Sequence, residues 1–259
     1  MTEIQRSRPA GTGRTSRPAR APRRGRRPEW LAPAGLIALT LVPMAAGSSR
    51  LAQLGSGAEV TAENARFFDS PVPVIAHIIG STVFLLVGAL QFAPSLRRRR
   101  WHRLAGRVVA PAGLLSAASG LWMAVAYDLP DNSGLALMLI RVVLAPAMAA
   151  AIVVALLAIR RGDVRTHSAW MTRAYAIGLG AGTQVLTIMP WALLVGEPDE
   201  FAYTVLMALG WAINLAVAEL VIRRRARSGM FGPGPDSGPR SRTRAALDLP
   251  SATDAAHLS

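Results

Sequence analysis

Residues 134–159 read GLALMLIRVVLAPAMAAAIVVALLAI, an apolar stretch interrupted by one charge, Arg141. A helix of about 17 to 25 predominantly apolar residues is long enough to cross the ~30 Å hydrocarbon core of a bilayer. This stretch therefore predicts a transmembrane helix, and the number of similar stretches in the chain decides the fold class.

Five further apolar stretches of similar length lie before or after residues 134–159. They cover roughly 30–47, 72–93, 107–127, 174–196 and 201–222. Proline recurs within them, as membrane helices tolerate, and none shows the alternating polarity of a barrel strand. The sequence thus predicts an all-α polytopic membrane protein, a bundle of six transmembrane helices over residues 30–222. The tails, 1–29 and 223–259, are rich in Arg, Pro, Gly and Ser and are predicted to be disordered.

The composition supports a membrane protein. Apolar residues make up 51% of the chain, charged residues 17%, and the mean hydropathy is +0.32, which argues against a soluble enzyme. The absence of cysteine excludes disulfides, thiolate metal sites and thiol catalysis. The chain contains no lysine and is rich in Ala and Arg, a bias typical of a GC-rich bacterial genome.

The distribution of arginine predicts the topology. Of the 29 arginines, nine precede the first span, six lie between spans two and three, four between spans four and five, and seven in the C-terminal tail. They lack base-reading motifs, so we expect no nucleic-acid partner. Because positively charged loops stay in the cytoplasm, both termini are predicted to lie on the cytoplasmic side of a bacterial inner membrane. The basic tails are expected to bind anionic lipid headgroups.

The first span admits a second interpretation. An Arg-rich leader, a short apolar stretch and the small residues 44–48 (MAAGS) also describe a cleavable signal peptide. We expect an uncleaved anchor, and cleavage would leave five spans with the same topology.

The two cytoplasmic turns resemble one another. Arg100-Trp101-His102 is followed by Arg107, and Arg165-Thr166-His167 is followed by Arg173. This repeat suggests a duplicated helical hairpin, spans two to three and four to five, about a pseudo-two-fold axis along the membrane normal. Alternatively, these residues anchor helix ends at the headgroup level.

Three short motifs in the first hairpin, HIIG (77–80), GALQF (88–92) and HRLAGR (102–107), and RTHSAWMTR (165–173) in the second are similar to a bacterial membrane-protein family, domain of unknown function 2306. The similarity covers about residues 70–222. It implies a polytopic fold and no established activity. The predicted inner-face motif consists of these residues with one carboxylate of span six, namely His102, Arg103, Gly106, Arg107, Arg165, His167, Trp170, Met171, Arg173 and Glu219.

Three polar residues lie within the outer or central parts of the spans. His77 is about 8 Å and Arg141 about 10 Å below the outer ends of spans two and four, and Gln184 lies deeper on span five. Because a charge in hydrocarbon is costly, we expect His77 and Arg141 to share an outward-opening cleft. In the alternative, Arg141 snorkels to the headgroups and His77 bonds between helices. A small transporter or channel would use such a polar path.

Glu219 stands near the inner end of span six, level with Arg107 and Arg173. A carboxylate at that depth needs a partner, so we predict an ion pair with one of these arginines. Together with His102 and His167, Glu219 would also make a metal or proton-relay site. The same two histidines are candidate ligands of a b-type haem in a membrane redox protein.

Motifs of the common soluble chemistries are missing from the sequence. It contains no P-loop, no dinucleotide fingerprint, no H-E-x-x-H and no G-x-S-x-G. The favoured interpretation is a non-catalytic membrane component, with the transporter or channel and the haem protein as alternatives. Small residues in spans three and five predict close helix packing, namely Gly113, Ala117, Gly120, Gly178, Gly180 and Gly182.

Overall fold

The structure is a computed structural model that describes residues 30–97, 100–129 and 132–228. Within these ranges the chain is helical and contains no strand, so the all-α prediction is confirmed. The helices are α1 (Leu31–Ser56), α2 (Ala65–Asp69), α3 (Pro71–Leu90), α4 (Pro94–Arg97), α5 (Arg100–Ala126), α6 (Leu135–Arg160), α7 (Val164–Gly178), α8 (Gly180–Leu194) and α9 (Glu200–Arg227). The predicted disorder of residues 1–29 and of the tail beyond 228 lies outside the described residues.

Helix length and hydropathy agree with a membrane protein. Five helices, α1, α3, α5, α6 and α9, are long and apolar enough to cross a bilayer. Helices α7 and α8 pass the same test together but are bent by 41°, which gives six spans if the pair is one span. Large apolar side chains remain on the outside of the bundle, for example Val143 (67% exposed) and Leu193 (79%). Such side chains suit contact with lipid chains better than contact with water.

The helices extend beyond the apolar stretches from which the spans were predicted. Helix α5 begins at Arg100 and α7 at Val164, before the predicted span starts at 107 and 174, and α1 continues past 47 to Ser56. Hydropathy marks the part of a helix that suits hydrocarbon, whereas Arg, Leu and Ala also favour helix outside it. His102 and His167, predicted to lie in turns, therefore lie in the first turns of α5 and α7.

The first helix packs into the bundle. It runs unbroken through the small residues 44–48 and contacts both α3 and α8. A Cβ at Gly182 of α8 would clash with the carbonyl oxygen of Leu39, so only glycine permits this backbone approach. An uncleaved first span stays a prediction, and α1 has a packed position in the fold.

Phe84 of α3 lies at the centre of the core. A Cβ added at Gly113 of α5 or Gly178 of α7 would come within 2.6 Å and 2.8 Å of its ring. The ring of Tyr175 is 5.7 Å away, and the Tyr175 hydroxyl donates to the carbonyl of Leu85 at 2.9 Å. The predicted close packing at small residues is thus confirmed where α3, α5 and α7 meet.

Span five is broken between α7 and α8, whereas the sequence predicted one helix. The carbonyl of Ala176 accepts from the Asn214 side-chain amide, and that of Ile177 from the Trp211 indole N–H, each at 3.2 Å. In a continuous helix, backbone N–H groups four residues later would occupy these carbonyls. Two side chains of α9 therefore satisfy two of the backbone carbonyls that the break leaves, as membrane-embedded breaks require.

Candidate anion site at the basic end of the bundle

The basic end of the bundle is the end at which α5 and α7 begin and α9 ends. The α6–α7 connection there is tight: Gly162 adopts a left-handed φ of 77°, and Asp163 caps α7 by accepting from the Thr166 backbone N–H at 2.9 Å. Hydrogen bonds from Thr166 hold the pKa of the Asp163 carboxyl below its usual value. The cap fixes where α7 begins and thereby which of its residues meet α9.

An ion pair joins α7 to α9 two to three turns further along α7. Arg173 Nε donates to Glu219 Oε1 at 2.6 Å, and Arg173 Nη2 donates to Glu219 Oε2 at 3.1 Å. This bidentate geometry is the strong form of an arginine–carboxylate contact. The predicted pairing of Glu219 is confirmed with Arg173, one of its two candidate partners. Arg107, the other candidate, is exposed on α5.

Two further contacts shape the same region. The guanidinium carbon of Arg173 lies 4.8 Å from the centre of the Trp170 ring, a cation–π distance. Arg225 Nη1 donates to the Ser168 hydroxyl at 3.4 Å, one to two turns beyond Glu219 on α9. Helices α7 and α9 are thus bridged at two levels, and residues of both bridges line a space between the two helices.

That space is a cavity of about 250 Å³, named here the arginine pocket. The residues that line it are Arg165, Thr166, Ser168, Ala169, Trp170, Arg173, Ile222, Arg225 and Ala226. Among these described lining residues three are arginines and none is acidic. Glu219 neutralises Arg173, and the guanidinium groups of Arg165 and Arg225 also line the pocket. Guanidinium groups with nearby hydroxyls are the donors that bind phosphate and carboxylate.

The arginine pocket gathers only the second half of the predicted inner-face motif. Arg165, Trp170 and Arg173 line it, while Met171 packs against the core. The first half, at His102, Arg103, Gly106 and Arg107, lies on α5 outside this lining. Sequence reasoning missed Arg225, which was counted only among the seven arginines of the C-terminal tail. One signal for this face of α9 was available in the sequence. Glu219, Ile222 and Ala226 are spaced by three and then four residues, which places them on the same side of a helix.

The two motif histidines lie on different helices. His167 Nδ1 is 2.9 Å from the Ala155 carbonyl of α6, and the His102 carbonyl accepts from the Gln91 side chain at 3.4 Å. Within the described ranges, no group of three His, Cys, Asp or Glu side chains is arranged to hold a metal. The haem hypothesis for this pair stays a prediction.

The three polar residues of the predicted outer cleft have separate neighbours. His77 Nδ1 is 3.0 Å from the Ser116 carbonyl of α5, and Gln184 Nε2 donates to the Met207 carbonyl of α9 at 3.1 Å. Arg141 lies within electrostatic range of Tyr203 on α9 and Arg66 on α2. No hydrogen bond in the described part of the chain joins His77, Arg141 and Gln184 to one another. Their shared cleft therefore stays a prediction.

Comparison with known proteins agrees with this architecture. The family model described as "Predicted membrane protein (DUF2306)" matches residues 74–222, which include the arginine pocket up to Ile222 and all helices from α5 to α8. No curated protein and no solved structure matches the chain.

Proposed function

Because the chain belongs to the family of predicted membrane proteins DUF2306, we propose that it is a non-catalytic component of the bacterial cell membrane that binds a phosphate-bearing anion in the arginine pocket. The observation that carries the proposal is the lining of that pocket, three arginines with two hydroxyl side chains and no acidic residue among those described.

The orientation of the basic end supports a cytoplasmic anion site. The sequence segments before span one, between spans two and three, between spans four and five, and after span six hold 26 of the 29 arginines, and arginine-rich segments stay on the cytoplasmic side. That leaflet surface attracts basic segments through its anionic lipids. We therefore place both termini and the arginine pocket at the cytoplasmic face, beside the phosphate groups of the inner leaflet.

The neighbours of the buried polar residues favour a structural role over a substrate path. His77 and Gln184 are both held by backbone carbonyls of neighbouring helices, and Thr183 donates to Asn214 Oδ1 at 2.7 Å. Such bonds serve helix–helix association in membranes. They support a non-catalytic component over a transporter in which these groups line a channel.

Titration of the detergent-purified protein with sn-glycerol 3-phosphate, a soluble phosphate monoester, tests the proposal. Arg165→Gln and Arg225→Gln should each weaken binding by about tenfold, the scale of one charge-assisted contact. Arg161→Gln and Arg224→Gln are matched controls, because both side chains are exposed at the same end and neither lines the pocket. They should leave binding unchanged. Equal losses in all four variants, or no binding by the unmodified protein, would overturn the proposal.

An absorption spectrum of the same preparation distinguishes the haem-protein alternative from the proposed function. The proposed function predicts no Soret band from protein purified out of its native membrane. A Soret band that is lost in His102→Ala or His167→Ala would instead assign a redox role to this pair.

A further inference from the structure

Arg141 faces the interior of the bundle near its outer end, the end at which α6 and α9 begin. Leu137 and Met148 lie four residues before it and seven after it on α6, so they share its helix face, and both are buried. The guanidinium therefore points towards neighbouring helices, about 9 Å below the first residue of α6. Arg141 is half-buried and makes no hydrogen bond or ion pair with any residue that the structure describes. An arginine at this depth needs a partner.

The hydroxyl of Tyr203 is a second donor at this level. Tyr203 shares one face of α9 with Met207 and Gly210, which are buried, so its ring also faces the interior. It lies within electrostatic range of Arg141. Within residues 30–97, 100–129 and 132–228 the hydroxyl makes no hydrogen bond. A guanidinium and a hydroxyl, both able to donate, thus face each other between α6 and α9.

The charges around these two donors are positive. Arg66 of α2 is also within electrostatic range of Arg141. Its guanidinium carbon lies 4.8 Å from the centre of the Phe67 ring, and that of Arg50 lies 4.3 Å from the same ring. Arg50 is held by a hydrogen bond to Gln53 Oε1 at 2.7 Å. None of these arginines forms an ion pair with a carboxylate in the described part of the chain. Neighbouring like charges repel one another, and an anion between them removes that cost.

The two carboxylates at the start of α9 are engaged away from Arg141. Asp199 caps α9 by accepting from the Ala202 backbone N–H at 2.7 Å. Glu200 packs against Gly134 at the start of α6, where an added Cβ would clash with Glu200 Oε1. The positive end of the α6 dipole accommodates that carboxylate. The charge of Arg141 is therefore not compensated by α9.

We propose that Arg141, Tyr203 and Arg66 form a binding site for a phosphate group that enters from the outer side of the membrane, named here the outer phosphate site. Arg141 and the Tyr203 hydroxyl donate to the phosphate oxygens, and Arg66 adds a second positive charge. A terminal phosphate suits this set better than a carboxylate, because it presents three acceptor oxygens and up to two negative charges. The outer phosphate site lies at the opposite end of the bundle from the arginine pocket and does not depend on it.

Titration calorimetry with inorganic phosphate tests the site in a parent protein that carries Arg165→Gln/Arg225→Gln, so that the arginine pocket does not contribute. Added to this parent, Arg141→Gln should weaken binding by about tenfold and Tyr203→Phe by about fivefold, the scales of a charged and a neutral hydrogen bond. Arg50→Gln is the matched control, because it removes the same charge at the same end from a side chain that is held by its own helix. It should weaken binding by about twofold at most, the scale of a screened charge at a distance.

Native mass spectrometry of the same variants identifies the source of the phosphate group. Binding of inorganic phosphate that falls in Arg141→Gln, with retention of dioleoylphosphatidylglycerol unchanged, would assign the site to a soluble anion. Lipid retention that falls in Arg141→Gln, in a parent that does not bind inorganic phosphate, would assign it to a headgroup of the outer leaflet.

Two results would overturn the outer phosphate site. One is an equal loss of binding in Arg50→Gln and Arg141→Gln, which would show diffuse attraction by the outer charges. The other is that neither probe depends on Arg141 or Tyr203. Thermal unfolding without phosphate checks that each variant is folded, and Tyr203→Phe, which removes only a hydroxyl, tests the site even if Arg141→Gln does not fold.

Discussion

Arg173 of α7 and Glu219 of α9 are joined by two parallel hydrogen bonds, of 2.6 Å and 3.1 Å. The pair closes the arginine pocket on the side of the membrane interior and ties together the two helices that form its walls. The side chain of Arg173 is 28% exposed and that of Glu219 is 37% exposed, so the pair is partly accessible to solvent. A contact of this kind stabilises the helix pair by a modest amount and orients Arg173 against Trp170.

The ion pair predicts a non-additive double mutant. Arg173→Ala and Glu219→Ala should each lower the free energy of unfolding, and the double variant should lose less than the sum by about 1 kcal/mol. Reversible unfolding in mixed detergent micelles measures the three values. Glu219→Ala combined with Arg107→Ala is the control and should be additive. Additivity in the Arg173–Glu219 cycle would mean that the two charges are solvated independently.

The break in span five predicts a specific role for Asn214. Asn214→Leu keeps the size and removes both the donor to the Ala176 carbonyl and the acceptor of the Thr183 hydroxyl, so it should lower stability by about 1 to 2 kcal/mol, the scale of hydrogen bonds within membranes. Ile213→Ala on the neighbouring exposed position controls for changes in α9 itself. If Asn214→Leu is as stable as the unmodified protein, the hydrogen bonds of Asn214 do not stabilise the break.

The contact of α1 with α8 predicts an asymmetry between two glycines. Gly182→Ala forces a Cβ against the Leu39 backbone and should cost about 1 to 3 kcal/mol, because backbone cannot move aside as a side chain can. A Cβ at Gly35 meets nothing within 4 Å, so Gly35→Ala is the control and should be neutral or slightly stabilising. Were α1 removed after residue 47, Leu39 would be absent and the two variants would behave alike.

The charge distribution predicts the orientation of the whole bundle. Reporter fusions at residues 60 and 198 should behave as external, and fusions at 96, 163 and 235 as internal, because arginine-rich turns are retained in the cytoplasm. A cytoplasmic signal at 60 or 198 would contradict the orientation and with it the assignment of the arginine pocket to the inner leaflet.

Hydropathy predicted the fold because the bilayer imposes a long apolar stretch on every spanning helix. It did not predict where helices begin, since residues such as Arg100 and Arg103 are helical outside the apolar stretch. The break near Leu179 was also missed. Glycines Gly178, Gly180 and Gly182 indicated close packing, and packing contacts with Phe84, Trp211 and Leu39 are present, but the break depends on donors from α9 that are far away in sequence.

The candidate site was predictable in part for a similar reason. A carboxylate at membrane depth requires a partner, so the Arg173–Glu219 pair followed from the cost of a lone charge. Arg225 was hidden within a run of three arginines, because only the packing of α9 on α7 decides which of them faces the pocket. Arg224 is exposed, while Arg225 contacts Ser168.

The most direct test of the anion site compares two double variants with equal loss of charge. Native mass spectrometry of protein released from its own membranes counts the anionic phospholipids that each retains. Arg165→Gln/Arg225→Gln should lose the bound anionic lipid, whereas Arg161→Gln/Arg224→Gln should retain it like the unmodified protein. Equal loss in both would show that diffuse charge at the basic end binds lipid, and equal retention would show that the arginine pocket does not; either result would contradict the site.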